Sequence, residues 1–193
     1  MSKNTFWVTM IFVAAIVGAF LGPALAQSLS TGAMLTFTVV TIVAIVGLIV
    51  WSLSNNKSGK KADTATLADA RAMRAPEGKA RIYVTRRGFV AALQGMNVML
   101  DDMAKGQIKS GQMLMADVAP GTHRLHAAMA KGIMANAGTL EIEVGAGEVV
   151  VIDAMFEMSA LKGDAKLTRL EAAKARENVH ATKLILWEVE PAA

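Results

Sequence analysis

TLEIEVGAGEVVVIDAMFEM, residues 139–158, decides how the second half of this chain folds. Leu140, Ile142 and Val144 alternate with Thr139, Glu141 and Glu143, the two-residue period of a strand with one buried and one solvated face. Gly145-Ala146-Gly147-Glu148 then reads as a hairpin turn, and Val149–Met158 as the next strand. The glycine pair is two-thirds of a dinucleotide fingerprint, but it joins two strands and opens no helix, so it predicts no nucleotide site.

The same period recurs outward from this stretch. Ile82 and Val84 alternate with Arg81, Tyr83 and Thr85, and further strands are expected at Asn97–Asp101, Gln112–Val118, Thr122–Ala130 and Lys183–Val189. Turn signals fall between them at Lys105-Gly106, Ala119-Pro120-Gly121 and Ala137-Gly138. One helix is expected, Leu167–Val179, from its Ala, Leu, Glu, Lys and Arg content. About seven short strands at this spacing predict an antiparallel β-sandwich over residues 79–193.

The first half differs in kind. Phe6–Ala26 and Met34–Leu53 are charge-free runs of 21 and 20 residues, each long enough as a helix to cross roughly 30 Å of hydrocarbon. The expectation is two N-terminal transmembrane α-helices ahead of the mainly-β sandwich. For the first run the alternative is a signal peptide cleaved after Ala24-Leu25-Ala26. Ala14, Gly18 and Gly22 form a small-residue face for helix packing, which points to a partner helix or a second copy.

Charge sets the expected orientation. Lys3 precedes the first run, Lys57, Lys60 and Lys61 follow the second, and the seven residues between them carry none, which places both ends in the cytoplasm of a bacterial inner membrane. Trp7 and Trp51 sit at the matching membrane interface. Ser54–Gly78 reads as a basic, flexible juxtamembrane linker. The net charge of +4 is not a nucleic-acid signature: from residue 79 onward 14 Lys and Arg meet 13 Asp and Glu, and the excess lies next to the apolar runs.

Candidate chemistry is sparse. With no cysteine there is no disulfide, thiolate metal site or cysteine nucleophile. His123 and His126 are two of three histidines, yet three residues apart on a strand they point to opposite faces and cannot share a metal. The expectation for VAPGTHRLHAAMA, residues 118–130, is a turn followed by a strand, with His123 at the core edge bonded to a loop carbonyl. Met96, Met99, Met103, Met113 and Met115 raise the question of Cu(I), but no histidine or cysteine joins them and core filling explains them. Asp101-Asp102 reads as a turn-borne acidic pair. No hydrolase, metalloprotease or phosphate-loop motif is present.

Four stretches carry a resemblance: ARIYVTRRG (80–88), VMLDDMAKGQI (98–108), ADVAPGTHRLHA (116–127) and LEIEVGAGEVVVIDA (140–154). Together they resemble a bacterial family of prealbumin-like β-sandwich domains of unknown function, similar in style to PEGA surface domains. Pro120, Gly121 and His123 match its P-G-x-H turn, while Asp102 stands where the family commonly has glycine. The resemblance implies a sandwich without known catalytic residues, and members that are often periplasmic or lipid-anchored.

The functional expectation is a non-enzymatic, membrane-anchored adaptor whose sandwich binds another protein, with no cofactor, no metal and no nucleic-acid partner. The alternative is an envelope module that binds or senses a glycan, lipid or metal, with the sandwich in the periplasm.

Overall fold

The computed structural model describes residues 30–54, 56–57, 59–130, 135–158 and 163–189. Two compact units divide after Ser54. The first contributes helix α1 (Thr31–Leu53), whose large apolar side chains, Leu35, Phe37 and Val43 among them, are exposed.

Among the described residues no helix is long and apolar enough to cross a membrane, which corrects the expectation of two transmembrane helices. The run at 6–26, with Trp7 and the Ala14, Gly18 and Gly22 face, lies outside the described residues. The run at 34–53 is the single helix α1. The physical reason is that absence of charge does not by itself make a run apolar enough to span. Thr36, Thr38 and Thr41 dilute the apolar run, and each satisfies its hydroxyl by donating to the carbonyl four residues back.

The second unit is built on two sheets that fit a β-sandwich. Its elements are helix α2 (Thr64–Ala72), strands β1 (Ala80–Arg86), β2 (Met96–Leu100), β3 (Ala104–Ile108), β4 (Gln112–Val118), β5 (Gly121–Met129), β6 (Ala135–Asn136), β7 (Gly138–Val144), β8 (Val149–Met158) and β9 (Gly163–Arg169), helix α3 (Ala172–Ala181) and strand β10 (Lys183–Leu184). One sheet has the order β10-β4-β1-β8-β9-β6 and the other β3-β2-β5-β7. The main core lies between them, with Ile82, Val84, Leu100, Leu114, Leu125 and Ile152 almost fully buried.

Several expectations are corrected here. The larger sheet is mixed, since β1 runs parallel to β8, β10 to β4 and β6 to β9. The turn at 145–148 makes no hairpin: β7 and β8 belong to different sheets, and the turn carries the chain across the sandwich. Leu167–Arg169 is strand, paired with β8, and the helix begins only at Ala172.

The face of β1 expected to be wet is covered too. Tyr83, Met113, Val151 and Leu184 form a second core with Ala70 of α2 and Ala175 and Val179 of α3. All seven residues of β1 are therefore buried.

The stretch expected to be a flexible linker supplies α2. Asp63 caps that helix by accepting from the Thr66 N–H, and this bond holds its carboxyl below the usual range. The Tyr83 hydroxyl donates to the Ala70 carbonyl at 2.6 Å. Arg81 ties Asp69 of α2 and Asp117 of β4 together, with N–O distances of 2.7 and 2.6 Å. The Asp117 hydrogen bond raises the guanidinium's proton affinity against the opposing effect of burial.

Candidate functional site

The histidine that the sequence singles out is a structural clasp. The β2–β3 connection, Asp101-Asp102-Met103, takes two consecutive residues through left-handed backbone, Asp101 at φ 52° and Asp102 at φ 57°. Such backbone favours glycine, so two aspartates here are held by what their side chains bond. Asp101 then faces β5, where one carboxylate oxygen accepts from the Arg124 N–H at 2.8 Å and the other lies 2.6 Å from His123 Nδ1. The second ring nitrogen of His123, Nε2, is 2.8 Å from the Ala119 carbonyl.

Both nitrogens therefore face acceptors, and only the imidazolium can donate to both at once. Burial lowers the proton affinity of His123, but the Asp101 and Ala119 bonds outweigh it and the pKa is raised. His123 thus joins the Pro120-Gly121 turn to the β2–β3 turn and has no ring nitrogen left for a metal or a substrate. His126 is on the other face, beside the Thr139 hydroxyl at 3.1 Å. Asp102 pairs with Arg124.

The other expected site residues are dispersed. Lys57, Lys60 and Lys61 are exposed on the segment leading into α2, and Lys57 pairs with Glu188. Trp51 lies in α1, and its side chain is outside the described residues. The methionines are divided, with Met96 in the main core, Met113 in the second core and Met103 exposed. Among the described residues no three His, Asp or Glu side chains stand together as a metal site.

Two features were missed in the sequence. The first is Arg86, fully buried and, among the described residues, without a carboxylate partner. Its Nη1 donates to the Gln94 and Ile108 carbonyls at 2.6 and 3.3 Å, and its Nη2 donates to the Ala91 carbonyl at 2.8 Å. Burial pushes its pKa down to about 10, and its Nε has no partner. The Arg-Arg pair at 86–87 was the available signal, since alternation turns one of the two inward.

The second is an uncovered sheet edge. Of the four edges in the two sheets, β6 is two residues long. The β10 edge is covered by residues 60–62, through the Ala62 N–H to Leu184 carbonyl bond and the Leu186 N–H to Lys60 carbonyl bond. The β3 edge is covered by Glu188 and Val189, bonded to Lys105. β7, seven residues long, pairs with β5 on one side and has no strand on the other among the described residues.

At its start β7 runs against β9, where Gly138 is required because a Cβ would collide with the Ala165 carbonyl. Beyond that point the two strands diverge around a cleft of about 480 Å³. Leu140, Ile142, Val144 and Ile152 supply its apolar wall, and Glu141, Glu143, Glu148 and Arg169 also line it. Arg169 bonds Glu148 at 2.6 Å, and Glu148 also accepts from the Gly145 N–H, the leading cause of its lowered pKa.

Compared with known proteins, the chain matches no protein family and no curated protein.

Proposed function

We propose that this chain is a non-enzymatic adaptor that binds another protein by taking an extended segment of it onto the edge of β7. The observation that carries the reading is the contrast among the edges. Three are short or covered, whereas the longest, β7, has no strand beyond it among the described residues and runs beside a cleft with one apolar wall. Half of the backbone N–H and C=O groups of an edge strand point away from its neighbour and are available to an incoming strand. The prealbumin-like resemblance belongs to the same proposal; the two-sheet fold and the Pro120-Gly121-Thr122-His123 turn support it.

The chemistry of the cleft selects the partner. Glu141 and Glu143 are exposed on one face, so an adjacent strand with Lys or Arg at alternating positions gains opposite-charge cross-strand pairs. Two copies of β7 pairing with each other would place these carboxylates together, which disfavours self-association.

The test titrates the full chain with two probe octapeptides, alternating Val-Lys and alternating Val-Glu, and follows amide hydrogen exchange at residues 138–144. The Val-Lys peptide is expected to protect β7 with about a tenfold preference, the worth of two cross-strand charge pairs. The double variant E141K/E143K is expected to reverse that preference. Protection of β7 by neither peptide, or by both equally, overturns the reading.

A further inference from the structure

The segment between β1 and β2, Arg87–Gly95, exposes Phe89 at 93%, Leu93 at 75% and Val90 at 44%. These three apolar residues lie within five positions of one loop, and this is not a floppy excursion. Arg86 draws the Ala91 and Gln94 carbonyls inward from beneath. The Ala92 carbonyl accepts from the Ser110 N–H, and Asn56 bonds both the Leu93 carbonyl and the Gly95 N–H, at 2.7 and 2.6 Å. With its carbonyls held towards the protein, the loop presents its apolar side chains outward. A guanidinium buried without a counter-ion is the cost of that presentation.

Basic residues lie next to the loop in sequence and through Asn56. Arg87 flanks the loop directly, and Lys57, Lys60 and Lys61 follow Asn56; all four are exposed. The carboxylates that reach this rim are Glu177, bonded to Arg87, and Glu188, bonded to Lys57.

We infer that the Phe89-Val90-Leu93 tip is a lipid-docking loop that inserts into the interfacial layer of an anionic bilayer while the basic rim meets the headgroups. Area argues for lipid over protein. The three side chains offer on the order of 400 Å², about half of the roughly 800 Å² that each partner of a stable protein interface buries. An exposed apolar tip next to Arg87, on a loop held by Asn56 beside Lys57, needs no complementary pocket in a bilayer, where apolar insertion and headgroup attraction act together. This inference is independent of strand addition at β7.

Because the chain has no cysteine, single cysteines report cleanly. The full chain carrying Leu93→Cys, or Met103→Cys at the far end of β2, is labelled with an environment-sensitive nitrobenzoxadiazole. It is then mixed with vesicles of phosphatidylcholine and phosphatidylglycerol. The label at 93 is expected to shift to the blue and to be quenched by spin-labelled lipid, while the label at 103 stays aqueous. In an F89S/V90S background the shift at 93 is expected to disappear. No shift at 93, an equal shift at 103, or a shift that survives F89S/V90S each overturns the inference.

Discussion

Replacing His123 with Gln removes one imidazolium that serves two acceptors. In the native protein its Nδ1 donates to Asp101 and its Nε2 to the Ala119 carbonyl, from a side chain only 12% exposed beside a carboxylate 30% exposed. A hydrogen bond to a charged group is worth about 1.5–3 kcal/mol, but Asp101 keeps the Arg124 N–H and Gln can restore part of one contact. The net loss at pH 5.5 is therefore about 2 kcal/mol, which for a unit of this size lowers the melting midpoint by roughly 6–10 °C.

The sign of the pH dependence follows from the raised pKa of the folded histidine. The folded state binds the proton more tightly than the unfolded chain, whose ordinary value is 6.5. The stabilisation is fully present below that value and is lost as pH rises through the higher folded pKa. Urea unfolding of wild type and His123→Gln, followed by circular dichroism at pH 5.5 and pH 9, is expected to show a gap that narrows towards alkaline pH. A gap that stays constant, or widens with pH, refutes the double-donor assignment.

Arg86→Met leaves the Gln94, Ile108 and Ala91 carbonyls without their donor, and a loss of about 3 kcal/mol is expected in urea unfolding, with faster exchange across residues 87–95. Gly138→Ala forces a Cβ against the Ala165 carbonyl; it is expected to cost about 1–3 kcal/mol and to raise exchange in β7 and β9 more than in β1. Tyr83→Phe removes the fully buried hydroxyl bonded to Ala70, and a loss of about 1–2 kcal/mol is expected, with α2 loosening first by hydrogen exchange.

The strands with clear alternation were legible because one face of each meets a core, and Gln112–Val118 and Val149–Met158 stand in the structure with the boundaries read from the sequence. The turn and strand at 118–130, with His123 bonded to a loop carbonyl, were also legible, because proline and glycine punctuate the chain locally. β3 was not, since Lys105-Gly106 reads as a turn. Gly106 is there for close packing, as a Cβ would press on Leu114 and Trp187. β9 was missed because its helix-favouring residues are overridden by pairing with β8, Ala154 to Leu167 among them.

Local sequence thus determined the strands with clear alternation and the turn at Pro120-Gly121, because side-chain period and backbone restriction act within a few residues. Tertiary structure alone decided that Ser54–Gly78 contributes a packed helix, that the second face of β1 is covered and that β7 ends its sheet with no further strand among the described residues. It also decided that Arg86 is buried and Phe89 exposed, the reverse of what their polarity suggests. Each of these depends on contacts between residues far apart in the chain, where the energy of a pairing or a buried charge depends on the neighbour that folding supplies.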